Sequence, residues 1–198
     1  MTHQEHIENV IRRTYNIVQA VFEKQQEICP VKDNMPNSGS RIIFPKYRKN
    51  VTRFSEQKLR FVFVEQLNRE IASGWDVYYS VETPTRYKYK FKNETHPVVI
   101  RDNSKEGQSA QFDLVIHNNI FERIILIEFK ANNASVQHHE KDFLKLESEG
   151  DNDILTYFLE IVKSSDKGTS ESLLEKCNTY KGHFLCWSCS QKDFIIKK

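Results

Sequence analysis

Asp113 and Glu128 are two carboxylates separated by fourteen residues, and Lys130 stands two positions beyond the second. Both acids sit in apolar company: residues 111–117 read Gln-Phe-Asp-Leu-Val-Ile-His and residues 123–130 read Arg-Ile-Ile-Leu-Ile-Glu-Phe-Lys. These are the two most strand-like runs in the chain, apolar on both faces as in the centre of a covered sheet. Charged side chains are costly to bury unless paired or bound to a metal, so acids in such strands require a reason. A hairpin turning near residues 120 and 121, through Asn118-Asn119, brings position 113 opposite about position 128. Side chains alternate along a strand, so Glu128 and Lys130 leave by one face and an opposed Asp113 leaves by that face too. Two oxygen donors on neighbouring strands suit Mg²⁺ (or Mn²⁺), which keeps several waters and is usually completed by substrate phosphate. Such a metal activates water and stabilises the charge that builds up in phosphodiester cleavage. Lys130 then orients or helps deprotonate the water, or neutralises the transition state. The competing reading is that the strands emerge into solvent and the charges form an ordinary ion pair.

The surrounding pattern predicts the elements that position these residues. At 198 residues the chain is long enough for one domain with a real core. Its 13 Phe, 8 Tyr and 2 Trp, with 28% charged residues, exclude intrinsic disorder. Ile7, Val10, Ile11, Ile17, Val18 and Val21 recur at helical spacing, so residues 4–28 form an amphipathic helix ended by Pro30. Residues 30–40 read as a linker, which divides the chain into an N-terminal helix and linker over 1–40 and a main domain over 41–198. Ser55 caps a second helix that runs to Ala72, stops before Gly74, and is apolar nearly all round, so it is expected to be buried. Residues 75–81 and 86–92 read as a hairpin turning at Glu82-Thr83-Pro84-Thr85. A helix over 135–149, a strand over 155–162, a helix over 169–177 and a last strand over 183–187 complete an α/β order.

Phe112-Asp113 followed by Glu128-Phe129-Lys130, with Ser55-Glu56-Gln57-Lys58-Leu59 opening a helix upstream, resembles the PD-(D/E)XK nuclease superfamily. The resemblance covers roughly residues 54–188 and extends to Lys141-Asp142-Phe143-Leu144-Lys145-Leu146, which looks like the helix that follows the motif strand in many members. Phe112 stands where the motif's namesake proline would be. The resemblance implies a restriction-endonuclease-like core, a central mixed sheet flanked by helices, here with an added N-terminal helix. It implies a metal-dependent nuclease, an endonuclease with DNA favoured over RNA, in which Asp113 and Glu128 hold the metal, Lys130 serves the water, and an acid from the first core helix is an outer ligand. Glu56 and Glu65 are both candidates for that acid; nine residues at 100° each place them on opposite faces, so at most one reaches the site. Glu56, beside the Ser55 cap, is the preferred one.

Net charge is only +2, but its distribution is uneven. Residues 41–60 carry seven basic side chains against Glu56 alone, and residues 147–175 carry eight acids against two lysines. Arg48, Lys49 and Arg53 are candidate nucleic-acid contacts, as are Lys88, Lys90 and Lys92 from the alternating run 86–92. The alternatives are a solvated face for the first group and a lysine-guarded sheet edge for the second. Cys186-x-x-Cys189 lacks a second ligand pair and reads as buried thiols. His138-His139 reads as exposed. No run is apolar enough for a membrane span and no secretory signal opens the chain, so a cytoplasmic protein without membrane contact is expected. The alternative function is a non-catalytic nucleic-acid-binding or assembly subunit with the same fold. A homodimer or larger complex through the apolar stripe of the N-terminal helix belongs to that reading.

Overall fold

The structure, a computed structural model, describes residues 1–24, 40–46, 52–91, 97–101, 106–132, 136–150, 153–163 and 180–197, with a few positions between 171 and 178. Helix α1 (His3–Lys24) starts in a reciprocal cap, in which the Thr2 hydroxyl accepts the Glu5 N–H and the Glu5 carboxylate accepts the Thr2 N–H. Helix α2 (Glu56–Ala72) follows the Ser55 cap, whose hydroxyl accepts the Lys58 N–H, and ends at Ser73 before Gly74 at φ 109°. The strands are β1 (Tyr78–Lys90), β2 (Val98–Ile100), β3 (Gln108–His117) and β4 (Arg123–Ala131); after helix α3 (Val136–Glu149) come β5 (Leu155–Val162), β6 (His183–Ser188) and β7 (Asp193–Lys197). They form one mixed sheet of seven strands in the order β2-β1-β3-β4-β5-β6-β7. Pairings β4–β5 and β5–β6 are parallel and the rest antiparallel. This α/β architecture agrees with the fold class expected from sequence.

The sheet is covered on both faces. Alternate residues of β3, β4 and β5, among them Leu114, Ile127 and Leu159, pack with α1 and α2, while Val115, Leu126 and Phe158 pack with α3 residues Phe143 and Leu146. Helix α1 is an integral layer of this core rather than an appendage. Ile7, Val10, Ile11, Val18 and Val21 are all buried in it, and the Tyr15 hydroxyl donates to the Glu160 carbonyl at 3.0 Å. Gln19 donates to the Cys189 carbonyl and accepts from the Trp187 indole. The stripe expected to dock a partner is thus consumed by the chain's own sheet and α2.

Three other expectations change. The hairpin expected over 75–92 is a single long strand: Tyr78 to Pro84 pair with His117 to Gln111, and pairing resumes at Lys88↔Ser109 after a bulge. Pro84 has no N–H to lose from the ladder, and the Thr85 hydroxyl spans the gap by accepting the Ala110 N–H and donating to the Tyr87 carbonyl. The turn-like composition therefore marks a bulge. Helix α2 is not buried all round: Leu59 and Phe63 face inward, but Phe61, about 200° away from each, is 55% exposed. The short strands β2 and β7 were not anticipated. The end of the first helix, most of the 30–40 linker and most of the helix expected over 169–177 lie outside the described residues. Among the described residues no helix is long and apolar enough to cross a membrane.

Candidate active site at the ends of the central strands

The β3–β4 register runs Leu114↔Ile127, Val115↔Leu126, Ile116↔Ile125, so the next pair outward is Asp113 with Glu128, as the spacing predicts. There the backbone ladder gives way to a side chain: the Asp113 carboxylate accepts the Phe129 N–H at 2.8 Å. Glu128 remains paired on its other side, opposite Phe158 of β5, and is buried. Two residues on, Lys130 leaves by the same face at the end of β4.

Helices α2 and α3 close over this strand end and supply the rest of the cluster. Lys130 Nζ lies 3.0 Å from Asp142 Oδ2 of α3 and 3.8 Å from Glu56 Oε1 in the first turn of α2. Lys145, one turn after Asp142, donates to Glu128 Oε1 at 2.5 Å, to Asp142 Oδ1 at 2.8 Å and to the Gln111 carbonyl at 2.9 Å. From α2, Arg60 stands 3.8 Å from Asp113 Oδ1 and 3.5 Å from Glu82 Oε1. Glu56, Asp113, Glu128 and Lys130 are thus brought to one strand end. Glu65 is not among them: it accepts from the Ser40 hydroxyl and the Arg41 N–H on the far side of α2.

Four carboxylates therefore meet three cations in a largely buried volume. Burial, joined by the charges of Asp142 and Asp113, pushes the Glu128 carboxyl well above the usual carboxylate range against the pull of Lys145. Burial also raises Glu56, with Asp113 and Asp142 adding to the rise and Lys130 opposing it. Asp142 goes the other way. Burial would raise it, but Lys145 and Lys130 outweigh that and hold its carboxyl low. For Lys130 the desolvation that favours a neutral amine is outweighed by Asp142, Glu56 and Glu128, so its ammonium is held protonated more firmly than usual. The same balance, with Glu128 and Asp142 as the acids, raises Lys145.

No family model, curated protein or solved structure matches the chain. Among the described residues no cluster of three or more His, Cys, Asp or Glu is arranged to hold a metal ion.

Asp142, Lys145 and Arg60 belong to the cluster although sequence reasoning did not select them. The signal for two of them lay in α3, where His139, Asp142, Lys145, Leu146 and Glu149 recur at helical spacing and are all buried. His139, expected to be exposed, is fully buried, with its ring against Phe143 and Phe158 and its Nε2 3.8 Å from Glu160. Glu149 is buried too, accepting from the Tyr87 N–H and pairing with Arg123, so the acidic stretch is not wholly a solvated face.

The expected nucleic-acid contacts are only partly described. Arg48, Lys49 and Lys92 lie outside the described residues. Arg53 is exposed, just before α2. Lys88 and Lys90 pair with Ile100 and Val98 of β2 across an interior ladder, so they do not guard a sheet edge, and Lys90 is 2.5 Å from Glu106. Cys186 and Cys189 are both buried, one in each apolar layer of the sheet.

Proposed function

We propose that the chain is a metal-dependent nuclease of the restriction-endonuclease-like kind, hydrolysing phosphodiester bonds of nucleic acid inside the cell, DNA in preference to RNA. The observation that carries this reading is the convergence of Asp113 and Glu128 from adjacent strands with Lys130 and the α2 acid Glu56 at one end of the sheet. An ion-pair cluster on a solvated strand end has no need of a fully buried Glu128.

The donor set fits a hard divalent cation in its chemistry. It offers only carboxylate oxygens, the donors such a cation prefers. Asp113 and Glu128 would be the strand ligands, with Glu56 as an outer ligand. Bound there, Mg²⁺ or Mn²⁺ would supply an activated water and positive charge at the scissile phosphate.

The chain's own residues divide the remaining work. Lys130, ringed by acids, serves as a fixed ammonium that stabilises charge developing on the phosphoryl oxygens. Asp142 fixes its position. Arg60, beside Asp113, is placed to neutralise a backbone phosphate arriving at the site.

A specific contact favours the second reading, a nucleic-acid-binding or assembly subunit without catalysis. Lys145 already satisfies Glu128 at 2.5 Å, as a structural ion pair would. Calorimetric titration with Mg²⁺ and Mn²⁺ separates the two. The nuclease reading expects binding that is lost in Glu128→Ala and weakened in Asp113→Asn; heat that is absent, or unchanged in both variants, supports the subunit.

A further inference from the structure

Beside the carboxylate cluster, the ends of β4 and β5 carry a second concentration of charge, and this one is positive. The Lys163 ammonium, just after β5, donates to the Thr52 carbonyl at 2.6 Å, and the Lys58 ammonium, in the first turn of α2, donates to the Arg53 carbonyl at 2.7 Å. Consecutive carbonyls thus anchor both. Each ammonium also sits over a buried ring: Lys58 Nζ is 5.5 Å from the centre of Phe44 and Lys163 Nζ is 5.6 Å from that of Phe54, and the two ring centroids are 5.7 Å apart. The exposed Arg53 adds a third positive charge. Asn132, two residues beyond Lys130, donates to the Phe54 carbonyl at 3.2 Å and ties this group to the strand end that bears the carboxylates.

The arrangement carries a cost that its own residues do not offset. Burial, and then the like charges of Arg53 and Lys163, weaken the hold of Lys58 on its proton. Among the described residues neither Lys58 nor Lys163 has a carboxylate partner, whereas Lys130, Lys145 and Arg60 in the neighbouring cluster each have one. Tethering the segment before α2 requires only hydrogen-bond donors, which neutral side chains supply without repulsion. An ammonium has three N–H donors and each lysine spends one on its carbonyl, so two like charges are held close together with donors to spare. A shared anion answers both the charge and the donors.

We propose that Lys58, Lys163 and Arg53 bind a non-scissile backbone phosphate of the nucleic-acid strand that lies across the carboxylate cluster. The inference rests on the nucleic-acid reading of that cluster and not on its metal. A phosphodiester brings one negative charge shared over two free oxygens, which fits lysines acting as point charges. Such a contact sets the position of the strand without reading its sequence.

The test is fluorescence anisotropy of a short labelled DNA duplex with the full chain in EDTA, the salt concentration being varied. Lys58→Met with Lys163→Met keeps the apolar stems over Phe44 and Phe54; it should weaken binding about five- to tenfold per lysine near 0.1 M salt and flatten the slope of log affinity against log salt by about 0.9 for each. Lys58→Arg with Lys163→Arg should keep the parent's slope. In the parent, duplex should shield Lys58 and Lys163 from acetylation by acetic anhydride, read by mass spectrometry, a measurement that stands whether or not the methionine pair folds. The proposal is overturned if the methionine pair keeps the parent's slope, if DNA leaves the acetylation of both lysines unchanged, or if inorganic phosphate at equal phosphorus concentration shields them as well as DNA does. A parent that binds and cleaves nucleic acid without these effects overturns this inference alone; a parent that binds none overturns it together with the nucleic-acid reading.

Discussion

Asp142→Asn isolates the contact that fixes Lys130. The carboxylate stands between two ammonium groups, 3.0 Å from Lys130 and 2.8 Å from Lys145, with a side chain only 12% exposed. Asparagine keeps the shape and removes the charge. Deleting one partner of a buried ion pair costs about 3–5 kcal/mol. Here Glu128 still holds Lys145 and Glu56 still lies near Lys130, so we expect about 2–4 kcal/mol. At this chain length that is a fall in melting temperature of roughly 5–15 °C. The assay is urea unfolding monitored by circular dichroism, with the slope unchanged and the midpoint lowered. The effect has a definite pH signature. The folded-state carboxyl of Asp142 is held low, so its stabilisation is complete above the ordinary aspartate pKa of about 3.9 and is lost as pH falls through the folded value. The gap between parent and variant should accordingly be full at pH 7 and should narrow as pH falls below about 3.9, closing only below the folded value. In the double-mutant cycle with Lys145→Met the two losses should be less than additive, because Lys145 no longer needs a counter-charge. A loss under about 0.5 kcal/mol at pH 7, or a gap that persists undiminished at pH 3, would refute the bridging role.

Other consequences follow from the same contacts. Ser55→Ala should cost about 0.5–1 kcal/mol in unfolding experiments, toward the low end because the cap bond to Lys58 N–H is 3.4 Å; no loss would mean the cap is idle. Tyr15→Phe should cost about 1–2 kcal/mol by removing the buried bond to the Glu160 carbonyl, and Val18→Asp should abolish the cooperative thermal transition, whereas a folded variant would show α1 to be dispensable. Lys88→Ala with Lys90→Ala should flatten the slope of log affinity for duplex DNA against log salt by about one to two units if these lysines touch phosphates, and an unchanged slope would assign Lys90 wholly to Glu106.

The parts of this fold that sequence made legible are those governed by short-range pattern. The α2 boundaries follow from the Ser55 cap and Gly74, and the pairing of Asp113 with Glu128 follows from alternation and one short turn. What stayed hidden depends on tertiary placement. Composition alone cannot tell whether Glu-Thr-Pro-Thr turns the chain or bulges a strand, because the deciding bond joins the Thr85 hydroxyl to Ala110, 25 residues away. Asp142 and Lys145 look like the solvent face of a surface helix until α3 is seen to lay that face on Glu128. The stripe of α1 suggested a partner because sequence shows that an apolar face exists and not what covers it; the cover is the protein's own α2 and sheet.

In the proposed nuclease the Asp113–Glu128–Lys130 cluster is catalytic. Its most direct test is cleavage of supercoiled plasmid, linear duplex, single-stranded DNA and RNA by the purified chain in Mg²⁺ or Mn²⁺, run beside Asp113→Ala and Lys130→Ala. Cleavage of DNA that requires the metal and disappears in both variants is the predicted result; no cleavage of any substrate, or cleavage that survives either substitution, would contradict it.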